Sequence, residues 1–273
     1  MMVKQNQIAN NLVYGIKKMN NNFNIDFNKA NICTKILRDF YSESQSSAEV
    51  SYPSSLNKNS ESYLIYIFYS CLLDYGMRSV MYHKNLIETY NEYPYIFNPK
   101  YVVDYFIDNL DELKNIIVNN IHPRYPNVAV NKWISLSIYL KDNQDLFNRI
   151  KSIKSYDELA NLILSIKGFG QKTGGLLLRL IYESGISDFN FDLENIPIDR
   201  HDIEISYLNG VVNKQILNEE EINSLGESWV KAASINNVAP ADIDKYLWTV
   251  GNQFCNNKKC GECPLNSTCE WKV

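Results

Sequence analysis

A stretch long enough to cross a membrane is missing from this sequence. The most apolar run, Tyr63 to Leu73, is interrupted by Ser70, and it falls short of the ~20 residues a transmembrane helix needs. The N-terminus, Met-Met-Val-Lys-Gln-Asn-Gln, lacks the apolar core of a secretory signal. A cytoplasmic address is therefore expected, nucleoid-associated if the source is prokaryotic. Strand-like alternation is scarce and no internal repeat is found, which points away from sheet proteins and solenoids. Histidine is rare, and His83 and His122 sit in no motif. Cations are in slight deficit, 27 Lys and Arg against 31 Asp and Glu. That balance argues against nucleic-acid affinity built on total charge, since phosphate binding comes mainly from clustered Lys and Arg. Local groupings decide instead, because fields fade over about 10 Å.

What is present is an ordinary globular composition, 45% hydrophobic and 21% charged, on a chain of a length that suits one or two domains. Residues 1–60 are rich in Asn, Ser and Lys, and the Ser51-Tyr-Pro-Ser-Ser-Leu-Asn-Lys-Asn run reads as a loop or linker. From residue 61 onward helices dominate. Val102, Val103, Phe106, Ile107, Leu110, Leu113, Ile116 and Ile117 recur at three- and four-residue spacing and predict one amphipathic helix. Ser155-Tyr-Asp-Glu158 has the form of a capping box opening a helix that runs to about Lys167. Asn218 ahead of Glu219, Glu220 and Glu221 marks another start. Pro240 opens a helix that Gly251 is expected to end. The fold class read from this pattern is all-α.

Three local motifs carry chemistry. The first is the link Lys167-Gly168-Phe169-Gly170-Gln171-Lys172-Thr173 between two helices. A Gly-x-Gly turn lets backbone approach a partner closely. The N–H groups opening the next helix then face outward to an anion such as DNA phosphate. Taken alone, such links join many helix pairs. The second is Ile196-Pro197-Ile198-Asp199-Arg200-His201-Asp202, where Asp199, with Asp202 three residues on, forms an N-cap arrangement. A capping Asp is most often structural. The third is the cysteine loop. Cys33 and Cys71 stand apart, whereas Cys255, Cys260, Cys263 and Cys269 fall within fifteen residues. A tight group without a signal peptide points to metal rather than disulfides, and four thiolates suit either a [4Fe–4S] cluster or zinc.

In this order, the three motifs resemble the helix-hairpin-helix base-excision DNA glycosylases of the endonuclease III kind, over roughly residues 61–273. The sequence departs from that family at Lys167, where Pro is usual, at Phe169 in the middle hairpin position, and at Arg200, where a Thr is usual. Its loop spacing is C-x4-C-x2-C-x5-C rather than C-x6-C-x2-C-x5-C, and Ser184–Asn195 lengthens the interval before Asp199. No Gln stands in Ser70–Asp74, where the family carries one that fills the DNA gap.

The resemblance implies a six-helix barrel over 61–190 and a helical iron–sulfur cluster domain built from 1–60 and 191–273. DNA would bend at the cleft between them, with the damaged nucleotide flipped in. Lys172 takes the position of the family's lyase nucleophile and Asp199 that of its assisting carboxylate. The positive end of the helix and partial burial would both favour a neutral amine on Lys172, ready to attack the sugar C1′. Gly168, Phe169, Gly170, Thr173, Lys258 and Lys259 would contact DNA. Cys255, Cys260, Cys263 and Cys269 would hold a [4Fe–4S] cluster, with zinc as the alternative. His201 is read as a packing residue, and Asp188, Asp192 and Glu194 rank below Asp199. The expected partner is double-stranded DNA with a damaged or mismatched base, bound by a monomer, with no membrane. The expected activity is glycosylase with AP lyase. The alternatives are a monofunctional glycosylase and a non-catalytic DNA-binding protein.

Overall fold

The computed structural model describes residues 23–43, 51–74, 79–189, 196 and 198–270. Among them no β-strand forms, and β pairing is limited to isolated bridge residues such as the antiparallel pair Ile25 and Val212. The helices are α1 (Phe27–Glu43), α2 (Glu61–Leu73), α3 (Ser79–Glu92), α4 (Pro99–Tyr101), α5 (Leu110–Ile116), α6 (Pro126–Asp142), α7 (Leu146–Ser152), α8 (Tyr156–Ser165), α9 (Gln171–Ser184), α10 (Arg200–Leu208), α11 (Glu219–Ile235) and α12 (Pro240–Thr249). The all-α reading holds for the described residues. No helix among them is long and apolar enough to cross a membrane.

Local signals explain most helix starts. Ser60 and Ser155 accept hydrogen bonds from the N–H groups of Tyr63 and Glu158, filling donors that a helix cannot satisfy internally. Asn218 and Glu221 cap α11 reciprocally, at 3.0 and 2.9 Å. Pro126 and Pro240 open α6 and α12, where a missing N–H costs nothing.

Two expectations are corrected. The single helix predicted over 102–117 is broken. A π turn, Val102–Phe106, continues α4, and α5 begins anew at Leu110. Between them the Asn109 side chain donates to Tyr105 C=O (2.8 Å), and its own carbonyl accepts from Leu113 N–H. An Asn side chain that bonds back to the carbonyl four residues earlier competes with helix continuation. Ile107 and Leu110, counted as core by spacing, stay 45% and 47% exposed. Gly251 does not end α12 either, because the chain runs on as a π turn from Val250 to Cys255. Gly251 instead lets α10 come close: a Cβ there would lie 2.7 Å from His201 Cβ.

The helices pack as two sets. In one, α2 lies against α6 and α9, and α9 also packs on α8. Its centre is Trp133, fully buried, stacked on Tyr69 (4.3 Å between centroids) and donating to Ile96 C=O (2.8 Å). In the other, α1, α10, α11 and α12 pack together with the cysteine loop. Trp229 is buried there and donates to Ser206 Oγ (3.1 Å). The loop at 51–60 packs on α2 through the edge-on pair Tyr52–Tyr63. Buried apolar residues of both sets form one continuous core.

Candidate functional site

The site is built on the hairpin between α8 and α9. Gly168 has φ +108, and a Cβ there would stand 2.9 Å from Leu72 Cδ1, so the turn requires glycine for its backbone angle and for the space. Phe169 is corrected from surface to core: its ring is buried and meets Phe68 edge-on (5.7 Å). Its N–H is spent on Ile166 C=O. Thr173 is also buried, and its hydroxyl accepts from Gly170 N–H (3.1 Å). Gly170 is the N-cap of α9 and has no side chain with which to cap it. The opening N–H groups of Gln171, Lys172 and Thr173 therefore have no capping side chain at their own N-cap, an arrangement that favours an anion.

Lys172 is exposed rather than partly buried, and its amine reaches outward from the hairpin. A second cation, Lys132 of α6, approaches Gly168 C=O (3.5 Å), and burial pushes its ammonium below the usual lysine range.

Along α9, Arg179 lies seven residues after Lys172, hence on the same face about 10 Å further on. Arg179 is buried and pairs with Asp244 of α12 at 2.9 Å and with Glu183 at 3.8 Å. Lys245 closes the group on Glu183 at 3.6 Å. This network joins the two helix sets along the helix that carries Lys172. Arg179 is a lone charge in an apolar run, Leu176-Leu-Leu-Arg-Leu-Ile181, and that signal went unread. Burial raises the Asp244 carboxyl above the ordinary range, against the pull of Arg179.

Asp199 caps α10 as expected. One oxygen, Oδ1, accepts from His201 N–H (2.6 Å) and Asp202 N–H (3.2 Å), while Asp202 Oδ2 accepts from Asp199 N–H (2.7 Å). Burial, then the charges of Asp199 and Asp244, push the Asp202 carboxyl well above the usual carboxylate range. The cap joins Asp199 to Asp202 and an ion pair joins Arg179 to Asp244, and the carboxyls of the two pairs act on one another through their charge. The rival Asp188 is exposed and paired with Lys154, while Asp192 and Glu194 lie outside the described residues. His201 packs against Gly251, as its reading as a packing residue requires.

The four clustered cysteines are half-buried and form no disulfides. Burial, followed by the charges of Cys263, Glu204, Cys269 and Cys260, lifts the Cys255 thiol to about 12. The loop is anchored from three sides. Leu265 is buried in the core, Thr268 Oγ donates to Asn209 Oδ1 (2.8 Å), and Glu270 N–H donates to Leu208 C=O (2.7 Å). The donor set fits a thiolate-ligated centre in type and number. Among the described residues, however, no three His, Cys, Asp or Glu side chains are already set around one point as metal ligands. Lys258 and Lys259 are exposed beside it, with Lys258 at φ +54 and Lys259 weakly paired to Glu262 (3.9 Å). No family model, curated protein or solved structure matches the chain.

Proposed function

We propose that this protein is a base-excision repair DNA glycosylase with associated AP lyase activity, acting on damaged or mismatched bases in duplex DNA. The observation that carries the reading is the α8–α9 hairpin. It offers backbone N–H groups and an exposed lysine at one helix start, on a helix face that leads through Arg179 and Asp244 to the cap of Asp199. Phosphate sits against the N–H groups of the first turn of α9, which fixes the strand without reading sequence. With the damaged nucleotide extruded, Lys172 attacks C1′; the bond to the base breaks as the bond to Nζ forms. Asp199 receives the proton shed by the amine and offsets the positive charge developing on the sugar. The C1′–O4′ bond then opens as nitrogen forms the C=N bond and O4′ takes up a proton, which gives the Schiff base; loss of a C2′ proton breaks the C3′–O bond and nicks the strand.

Cys255, Cys260, Cys263 and Cys269 would hold a [4Fe–4S] cluster. Such a group supplies four metal–thiolate bonds that fix a short loop. The chain's own part is to anchor that loop on α1 and α10, so that Lys258 and Lys259 face phosphate.

Borohydride trapping on a panel of damaged duplexes tests the reading. A covalent adduct that forms with the wild type and disappears in Lys172→Ala supports the lyase. Base release without an adduct leaves a monofunctional glycosylase, and binding without release leaves a DNA-binding module. Analysis of iron and sulfide decides the cofactor, with about four of each per chain for the cluster and zinc alone for the alternative.

A further inference from the structure

The capping group of α10 holds a feature that the proposed reaction does not use. Asp202 is 2% exposed, and its Oδ1 has no hydrogen-bond donor. A buried ionised carboxyl with a bare oxygen is costly. The charged groups facing it make this worse: Asp199 from its own cap and, from α12, Asp244, which already occupies Arg179. A proton on Asp202 removes both penalties. The reciprocal cap sets the two carboxyls side by side, Asp202 Oδ2 on the Asp199 N–H (2.7 Å) and Asp199 Oδ1 on the Asp202 N–H (3.2 Å), so the proton has an acceptor beside it.

We infer that Asp199 and Asp202 form a carboxyl–carboxylate dyad in which one proton, resident on Asp202, is donated as a hydrogen bond to Asp199. Two carboxyls at one buried site do not both ionise readily, because like charges in a poorly solvated space repel. Asp202 does not touch substrate in this scheme and is a positioning residue. Its Oδ2 holds the Asp199 main chain, its proton holds the Asp199 side chain, and Asp199 keeps an oxygen for the sugar. The direction of the Asp202 shift, upward through burial and neighbouring negative charge, agrees with this assignment. The inference rests on the glycosylase reading only for its consequence in catalysis, since the dyad itself is a property of the folded chain.

The test therefore has two arms. In the first, carboxyl carbon signals of Asp-labelled wild type and Asp202→Asn are followed against pH. We expect a signal absent from the Asn variant whose midpoint lies well above the ~3.9 of an ordinary Asp. If that signal titrates near pH 4, the dyad is refuted. In the second arm, the rate of Lys172-dependent adduct formation is measured from acid to alkaline pH. Asp202→Asn retains an acceptor for the Asp199 N–H and a donor for its side chain, so it stays close to wild type at neutral pH. It also lacks the fall that the wild type shows as pH rises and Asp202 ionises. Asp202→Ala, which loses both bonds, slows about 10- to 100-fold at every pH, the usual effect of a misplaced reacting group. Superimposable profiles for wild type and Asp202→Asn would overturn the positioning role. If the wild type forms no adduct on any duplex, the glycosylase reading fails, and the first arm still decides the dyad.

Discussion

Asp202 also makes stability depend on pH in a direction that can be worked out. Its folded value is raised, burial being the largest cause, so the folded chain holds a proton that the unfolded chain gives up above the ordinary carboxylate range. The associated stability is complete at low pH and is lost as pH rises toward the folded value. Asparagine cannot ionise, so the melting temperature of Asp202→Asn should gain on the wild type steadily from acid to alkaline buffer. A gap that is constant with pH would show that Asp202 is not buried as a carboxylic acid. At Gly168 the effect is steric. With φ +108 and Leu72 Cδ1 2.9 Å from a would-be Cβ, Gly168→Ala should cost ~1–3 kcal/mol, read by chemical denaturation. The start of α9 ahead of Lys172 and the cap at Asp199 were legible because turn and cap grammar is local. The burial of Phe169 was not, because it depends on Phe68, a hundred residues earlier. Asp202 was visible as the far half of a cap, but its ionisation depends on Asp244 arriving from another helix.

Caps and prolines are the part of the element plan that a sequence states outright. Asn218 shows this: removing its side-chain oxygen strips a bond from the Glu221 N–H, and Asn218→Ala should cost ~1 kcal/mol. Gly251 shows the limit. A glycine near the end of an apolar helix reads as a stop, yet it lies inside the π turn and serves His201 on α10. Gly251→Ala would force α10 and the Val250–Cys255 turn apart by more than side-chain motion can absorb, since the nearest atom is a Cβ at 2.7 Å. The expected loss is ~1–3 kcal/mol. Because the same turn delivers Cys255, the iron content expected of the proposed cluster should fall with it. Full iron content at wild-type stability would show that the close approach is unimportant. The break at Asn109 was hidden for a related reason: apolar spacing continues across it, and only the side chain's bond to the Tyr105 carbonyl reveals the interruption.

At the scale of the molecule, the two helix sets share one apolar core, but a buried ion network also crosses between them through α9 and α12. The apolar part was readable as periodicity. The network was not, because no sequence rule pairs Arg179 with a residue sixty-five positions later. Its energetic role differs from that of the core. Removing charges from water is expensive, so an intact buried pair contributes little net stability, whereas breaking it leaves an uncompensated charge. Arg179→Met should therefore destabilise by ~3–5 kcal/mol, while Arg179→Met combined with Asp244→Leu should recover most of that loss. Asp244 already has a raised value through burial, with Arg179 as its main opposing influence. Without the guanidinium it takes up a proton more readily still, so the deficit of the single variant should shrink in acid buffer while that of the double variant stays flat. Denaturation midpoints of the four proteins at acid and alkaline pH measure both effects. Additive losses that ignore pH would mean the pair is solvated, and that the helix face bearing Lys172 is not fixed to the Asp199 cap through Asp244.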